Sequence, residues 1–441
     1  MNSPIRRVDL RSRRLTRSEY RAVLPRATMD IESALKSIAP IIDQVKTGSV
    51  LDLYALSEKF DGIRPAELRV PKKIIESALS KIDPKLRNVI EEAIRRVRIV
   101  HKDQLRTTSI VRVVDGGEVE ERWIPVDRVG LYVPAGRAVY PSSVIMNVVP
   151  AQIAGVKSIA LASAPQRDND GWPNEIVLAT CGLLGIDEVY AIGGAQAIAA
   201  FAYGIRDENG KVISEPVDIV TGPGNIYVAA AKRALRGVIG IDSEAGPTEI
   251  AIVADESANA GEVASDLISQ AEHDTIAAAI LITDSEALAS DVERELIRRI
   301  ERTKHRERIT QALSGNQSAI AIVDDLAHGL EVANAYAAEH LELQVRDPKA
   351  ASIKIRNAGA VFLGRFAPVS LGDYLAGSNH VLPTGGCACH SSGLSVQTFL
   401  RGLHFVNYNE RAFREIAAGV IAFAEAEDLP AHGEAIKARF E

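Results

Sequence analysis

The regular alternation of short apolar runs with helical windows, from residue 126 onwards, constrains the fold most strongly. Runs rich in β-branched residues predict buried strands, and they lie at 129–133, 158–163, 188–192 and 219–221. Apolar residues three and four positions apart predict the helices between them, at 144–154, 175–184, 195–203 and 225–235. This order of elements is typical of a parallel sheet with helices packed on it.

A second series of the same kind follows. Its strands are predicted at 249–254, 278–283, 319–323, 341–345 and 359–362. Its helices are predicted at 259–273, 285–304 and 325–338. Two successive series of similar size indicate a duplicated open-sheet α/β architecture, although the sequence contains no residue-level repeat.

The two ends of the chain depart from this pattern. The first part is mainly helical, with helices predicted at 31–45, 71–82 and 84–106. After Arg365 the sequence is loop-like, and it ends in helices predicted at 410–425 and 431–440. We therefore expect four parts, namely an N-terminal helical region at 1–125, α/β domains at 126–248 and 249–385, and a C-terminal tail at 386–441.

Composition excludes several classes of function. The 441 residues are 46% hydrophobic and 25% charged, and the formal net charge of −7 argues against a nucleic-acid partner held by phosphate contacts. No apolar run follows the charged N-terminus, so we expect neither a secretory signal nor a membrane span, and a cytoplasmic location. Cys181, Cys387 and Cys389 are too few for a disulfide scaffold, and no second Cys/His pair at finger-like spacing accompanies Cys387, Cys389 and His390.

Two predicted strand-to-helix turns are rich in glycine. One contains Gly193 and Gly194 followed by Gln196, and the other runs from Gly222 to Asn225. Such turns let a phosphate approach backbone N–H groups at the start of a helix. The second turn has a tyrosine in place of the third glycine of the dinucleotide fingerprint. At this point the turns could either bind a nucleotide or have only a structural role.

Glu339 and His340 are adjacent where a helical window gives way to an apolar strand. Imidazole titrates near neutral pH and a carboxylate can activate water, so the pair could carry out proton abstraction and hydration. The alternative is a surface helix end with two solvated side chains.

Three further pairs of polar residues are candidates for ligand binding. Gln270 and His273 lie three residues apart on one helix flank and could serve as two metal ligands, or could simply end a helix. Asp373 and His380 lie in a long loop of small residues, where the backbone can approach a ligand closely. A ligand-binding loop and a loop without a function both remain open at this point. Glu427 ends one predicted helix and His432 begins the next. They could simply form a capping turn, or they could reach another subunit, because the segment is terminal.

These residues together resemble the histidinol dehydrogenase family along almost the whole chain. The resemblance rests on eight segments in the family's order, at 128–134, 193–200, 222–225, 244–249, 269–273, 336–341, 372–384 and 427–432. It implies two incomplete, Rossmann-like open-sheet domains and a four-electron oxidation of L-histidinol to L-histidine through L-histidinaldehyde. It also implies that two NAD molecules are reduced in turn.

The resemblance further implies one zinc ion per subunit, which holds the substrate. Its ligands would be Gln270, His273, Asp373 and His432. These four residues, together with Thr248, His340, His380 and Glu427, match positions that bind the substrate in the family. Many family members have serine where Thr248 stands here, and either residue supplies a hydroxyl.

By the same resemblance, His340 is the base that takes the hydroxyl proton, and Glu339 activates the water that hydrates the aldehyde. Tyr132, Gln196 and Asn225 match the family's NAD contacts. The family forms homodimers with exchanged C-terminal segments, so we expect the partner subunit's Glu427 and the partner subunit's His432 to complete each site.

Two alternatives remain. Related zinc- and NAD-dependent dehydrogenases of other small alcohols, such as sulfonated diols, share the catalytic and metal-binding residues. A zinc hydrolase or a non-catalytic metal-binding protein would use Glu339 as a base on metal-bound water, but it would leave both glycine turns without a role.

Overall fold

The computed structural model describes residues 4–27, 29–135, 138–244 and 246–441. Its strands are β1 (Arg6–Asp9), β2 (Ser109–Val114), β3 (Gly117–Pro125), β4 (Arg128–Tyr132), β5 (Ser158–Ser163), β6 (Val189–Ala191), β7 (Ile205–Arg206), β8 (Val212–Ser214), β9 (Ile219–Thr221), β10 (Gly240–Ile241), β11 (Glu249–Ala254), β12 (Ala278–Thr283), β13 (Ala319–Ile322), β14 (His340–Gln344), β15 (Ala360–Leu363) and β16 (Leu400–Tyr408). Every strand predicted from the two alternating series is confirmed to within one or two residues at each end.

The α-helices are α1 (Arg17–Val23), α2 (Ile31–Thr47), α3 (Val50–Phe60), α4 (Lys72–Lys81), α5 (Pro84–Asp103), α6 (Pro141–Ala154), α7 (Glu175–Leu183), α8 (Gly194–Tyr203), α9 (Ile226–Leu235), α10 (Ala260–Ala271), α11 (Glu286–Ile300), α12 (Arg306–Ser314), α13 (Leu326–Tyr336), α14 (Pro348–Ser352), α15 (Val369–Tyr374), α16 (Glu410–Ala426) and α17 (Pro430–Lys437). Short 3-10 turns lie at Arg167–Asn169, Cys387–Cys389 and Val396–Phe399.

Two parallel open sheets form the centre of the molecule, as the sequence predicts. The first has the strand order β10-β9-β4-β5-β6, and the second has the order β1-β13-β12-β11-β14-β15. All pairings within both sheets are parallel. The central strands are buried along their whole length because helices cover both faces of each sheet.

The N-terminal helices complete the covering of the first sheet. Helix α2 packs on α8 and α9, α4 packs on α7, and α5 packs on α6. The strand β1 was not predicted from the sequence, and it adds an edge strand to the second sheet through its pairing with β13. Its polar sequence fits an edge position, where one side of the strand faces solvent.

The interpretation of residues 366–409 as a loop is wrong in two places. Helix α15 forms at Val369–Tyr374, and the nine-residue strand β16 pairs antiparallel with β3 along its full length. Strands β16, β3 and β2 form a separate sheet that leads into α16 and α17. Large apolar side chains are exposed on this part, with Val406 at 70% and Phe423 at 72% exposure.

Candidate active site

Glu339 and His340 lie at the turn between α13 and β14. Helix α13 ends in a left-handed residue, Ala337 (φ 55°), whose N–H bonds back to the carbonyl of Ala333. The strand then begins at His340, between β11 and β15. Both side chains are buried, with Glu339 at 7% and His340 at 5% exposure, unlike the solvated helix end that the sequence left open.

The start of β11 holds the Glu339 carboxylate. Oε2 accepts hydrogen bonds from the Thr248 hydroxyl at 2.5 Å and from the backbone N–H of Glu249 at 3.0 Å. Burial raises the pKa of Glu339 to about 8, and these two hydrogen bonds act in the opposite direction. A carboxyl group with a pKa near neutrality can both accept and return a proton at physiological pH.

The His340 ring is oriented by the same segment. Its Nδ1 lies 3.2 Å from the carbonyl oxygen of Glu249, which fixes the proton on Nδ1 because a carbonyl can only accept. Burial lowers the pKa of His340, so the ring is neutral. Nε2 is buried and has no hydrogen-bond partner within the described part of the chain, and it is therefore available as a proton acceptor.

Gln270 joins this group through Thr248. Its Nε2 donates to the Thr248 hydroxyl at 2.7 Å, and the side chain is buried in the last turn of α10. The other end of the amide, Oε1, is buried without a partner among the described residues. Buried amide oxygens are normally satisfied, so this atom indicates a ligand such as a cation.

Three more predicted residues surround the pair. His273 follows α10 and is exposed, and electrostatic interactions connect it with Glu339 and His340. Asp373, on α15, interacts in the same way with His340. Burial lowers the pKa of His380 to about 4, and its ring bonds to the backbone of Ser142 at the start of α6. The site therefore lies between the two sheets.

Glu427 and His432 are not brought to this site in a single subunit. Glu427 follows α16 and His432 lies in the first turn of α17, and both are exposed. Within residues 4–27, 29–135, 138–244 and 246–441, no three His, Cys, Asp or Glu side chains are placed to hold a metal ion. Of the predicted ligand set, Gln270, His273 and Asp373 interact with the Glu339–His340 pair or its Thr248 partner, and His432 is exposed on α17.

Tyr132 connects the two glycine turns predicted to bind the cofactor. Its hydroxyl accepts a hydrogen bond from the N–H of Gly194 at 3.0 Å, and its carbonyl oxygen would lie 2.0 Å from a Cβ on Gly222. Gln196 is buried with Nε2 unpartnered in the described ranges. Asn225 is the N-cap of α9 and accepts from two backbone N–H groups.

A buried ion pair that sequence reasoning missed supports the second turn. Lys232 donates to Asp242 at 2.6 Å and to the carbonyl of Gly222 at 2.5 Å, and Asp242 accepts from the N–H of Gly222 at 2.8 Å. The signal was present in the sequence, since Lys232 is a charged residue inside the apolar window of α9. A buried lysine needs such a partner.

The two helix-covered parallel sheets, with the buried Glu339 and His340 at the start of β14, define an α/β protein with a candidate active site. The sequence pattern of histidinol dehydrogenase matches residues 24–440. The chain therefore belongs to the histidinol dehydrogenase family, whose members are oxidoreductases of histidine biosynthesis acting on a small-molecule substrate.

Individual relatives agree with this assignment. The chain is 61% identical to histidinol dehydrogenase of Thermobifida fusca over 439 residues, which cover 100% of this chain and 98% of the relative. It is 56% identical to the enzyme of Nocardia farcinica over 435 residues, covering 99% and 98%. The crystal structure of histidinol dehydrogenase from Elizabethkingia anophelis superposes with a TM-score of 0.91 at 31% identity, covering 100% of this chain and 99% of that one. In the described ranges, no helix combines the length and hydropathy of a membrane-spanning segment.

Proposed function

We propose that this chain oxidises L-histidinol to L-histidine through L-histidinaldehyde in two NAD-dependent steps, with zinc holding the substrate. The observation that carries the proposal is the neutral His340 with a free Nε2, beside the buried Glu339 and the unpartnered Oε1 of Gln270. A base, a water-activating carboxyl and an orphaned ligand atom are what this reaction requires.

The residues fit a zinc ion. Gln270 Oε1 has no protein partner in the described chain. His273 interacts electrostatically with Glu339 and His340, and Asp373 interacts in the same way with His340. A fourth ligand, His432, would come from a second subunit. Zinc, when bound, orients the imidazole and amine of the substrate for reaction.

The residues also fit NAD. Both glycine turns begin helices, α8 and α9, at positions where a side chain would collide with its neighbours. The unpartnered Nε2 of Gln196 offers a buried donor beside the first turn, and Tyr132 and Asn225 fix the turns in place. NAD, when bound, accepts a hydride from the substrate carbon in each step.

His340 acts in the first oxidation. Its Nε2 takes the proton of the substrate hydroxyl as the carbon loses a hydride, which converts the alcohol to the aldehyde. The Nδ1–H bond to the Glu249 carbonyl keeps the ring in the accepting tautomer. Thr248, His380 and the partner's Glu427 contact the substrate in this proposal.

Glu339 acts between the two oxidations. It takes a proton from water as the water oxygen adds to the aldehyde carbon, while the protonated His340 gives its proton to the former carbonyl oxygen. This yields the gem-diol and leaves His340 neutral again. His340 then takes a hydroxyl proton of the gem-diol as the carbon loses its second hydride, which leaves the carboxylic acid. The raised pKa of Glu339 makes it a stronger base than an exposed carboxylate.

The proposed assembly is a homodimer with a shared site. The single chain leaves Glu427 and His432 exposed, and helices α16 and α17 pack on each other. The exposed apolar residues of β16 and α16, including Val406 and Phe423, offer a surface for a second subunit. A cytoplasmic location and the absence of a nucleic-acid partner remain predictions from the sequence.

An assay with purified protein, zinc, NAD and L-histidinol tests the function. We expect two NADH formed for each histidinol consumed, measured by nicotinamide absorbance. No turnover of histidinol but turnover of another small alcohol, such as a sulfonated diol, would support the related dehydrogenase instead. Glu427 favours histidinol, because a carboxylate suits a cationic amine. No NADH with any alcohol would refute both.

A further inference from the structure

Arg26, in the connection between α1 and α2, makes a bidentate ion pair with Glu249. Nε lies 2.6 Å from Glu249 Oε2, and Nη2 lies 3.3 Å from Oε1. The arginine side chain is largely buried and the glutamate side chain almost completely so. The planar guanidinium matches the carboxylate, which gives this pair a fixed geometry.

The same guanidinium contacts the end of α13. Nη2 donates to the carbonyl oxygens of Tyr336 and Ala337, and the group stacks on the Tyr336 ring with 3.8 Å from Cζ to the ring centroid. The Tyr336 hydroxyl in turn lies 3.4 Å from Glu249 Oε2. One side chain from the N-terminal region thus joins the start of β11 to the left-handed turn before β14.

Both side chains of the acid–base pair hydrogen-bond to one of these segments, the start of β11. The backbone N–H of Glu249 bonds to Glu339, and its carbonyl accepts from His340. The carbonyl groups that Arg26 contacts belong to Tyr336 and Ala337, a few residues before Glu339 in the same turn. A shift of β11 against the turn would therefore move both functional groups at once.

We propose that Arg26 is a positioning residue of this reaction, which holds β11 and the α13–β14 turn together so that Glu339 and His340 keep their productive geometry. This inference rests on the proposed function. Arg26 acts through Glu249 and the turn carbonyls and contacts no substrate atom. Lysine cannot replace it fully, because one ammonium group cannot reproduce the bidentate fork and the stacked plane.

Kinetics of Arg26→Ala provide the test. Both the histidinol and the histidinaldehyde oxidations should lose kcat by about 10- to 100-fold, with KM changed much less, since misplacement of catalytic groups costs rate rather than binding. Added millimolar guanidinium should occupy the vacated space and recover much of kcat. Arg26→Lys should fold normally, with an intermediate kcat.

Arg21→Ala is the matched control. Arg21 comes from the same N-terminal region and donates to the carbonyl of Ala335, one residue before Tyr336. It also bonds to the carbonyl of Gly386 and to the Cys389 side chain, away from β11. Its kcat should stay near the wild-type value and should not respond to guanidinium. Thermal unfolding of each variant separates lost kcat from lost folded protein.

The outcomes are decisive. Three outcomes would overturn the inference. The first is a wild-type kcat in Arg26→Ala, and the second is an equal loss of kcat in Arg21→Ala. The third is a folded Arg26→Ala protein whose lost kcat guanidinium does not restore. If Arg26→Ala does not fold, a wild-type kcat in Arg26→Lys would overturn it, and a lowered kcat in folded Arg26→Lys would support it. Inactive wild-type protein would instead refute the proposed function.

Discussion

Thr248 donates its hydroxyl hydrogen to Glu339 across 2.5 Å. Because that hydroxyl also accepts a hydrogen bond from the Gln270 amide, it links the proposed water-activating group to a proposed metal ligand. The Thr248 hydroxyl has one proton to donate, so the direction of the two hydrogen bonds is fixed. The amide donates to the hydroxyl, and the hydroxyl donates to the carboxylate.

Thr248→Val should remove this link at nearly constant volume. Glu339 and the Gln270 amide would each lose a buried partner, and kcat should fall by about 10- to 100-fold, as expected for unsatisfied buried groups. Thr248→Ser keeps the hydroxyl and should stay within about threefold of wild type. Steady-state kinetics compare the two variants, and equal activities would show that the hydroxyl is unimportant.

Glu339→Gln should separate the two half-reactions. The amide cannot take a proton from water, so the aldehyde-to-acid oxidation should slow far more than the alcohol-to-aldehyde oxidation. Single-turnover measurements that start from histidinol and from histidinaldehyde give the two rates. Equal losses in both halves would argue against a role in hydration.

The buried carboxyl pair Asp266 and Glu342 should make stability fall with rising pH. Glu342 accepts from the N–H of Val369 at 2.9 Å and hydrogen-bonds with Asp266, and burial together with that neighbour raises its pKa to about 8. Because this folded pKa is above the unfolded one, near 4.5, the folded state binds more protons between these pH values, and the stabilisation is lost as pH rises through 8.

Glu342→Gln replaces the carboxyl group with an amide that stays neutral at every pH. The stability of this variant should therefore depend less on pH than that of wild type. Thermal unfolding midpoints measured at several pH values between 5 and 8 should decline less steeply in the variant than in wild type. Glu256→Gln is the control, because Glu256 is exposed and pairs with the exposed Arg346. Wild type and Glu342→Gln with parallel curves would contradict the prediction.

Mixing His432→Ala protein with Asp373→Ala protein tests the shared site. In a mixed dimer one of the two sites would combine an intact Asp373 with an intact His432. With random exchange of subunits, about a quarter of wild-type activity should return, since half the dimers are mixed and each has one good site. No recovery, with exchange demonstrated by a labelled subunit, would place both residues in the same chain's site.

Gly222→Ala should weaken cofactor binding. Gly222 has φ 115°, and a Cβ there would lie 2.0 Å from the Tyr132 carbonyl oxygen, so the turn must shift. Titration of NADH fluorescence should show a weaker Kd. Gly210→Ala is the control, because Gly210 has φ 81° but open space around it. A Kd equal in both variants would remove this turn from the binding site.

The sequence predicted the central strands well because their residues are apolar on both faces, a pattern that solvent-facing strands lack. Strand β14 shows where that logic stops. His340, Glu342 and Gln344 alternate with apolar residues as in a half-exposed strand, yet all three are buried. The contact of Glu342 with α15 and Asp266, which a single strand does not reveal, explains the difference.

Other features depend on partners that are distant in the chain. Arg26 lies in a connection without any periodic pattern, and its role follows only from Glu249 and Tyr336, which fold against it. Strand β16 contains a glycine and several charged or polar residues, and its pairing with β3 makes it a strand. In the proposed homodimer, the contacts of His432 would be made on a second subunit, and the sequence of one chain does not reveal them.

The pairing of β1 with β13 has a consequence for biosynthesis. The hydrogen bond from Arg6 to the carbonyl of Asn316 spans 310 residues. Ribosomes add roughly 5–20 residues per second, so the first strand of a nascent chain waits on the order of 15–60 seconds before its neighbour exists. During that interval proteases and chaperones can bind the first residues of the chain. The second sheet gains its edge strand only when β1, the first strand synthesised, pairs with β13.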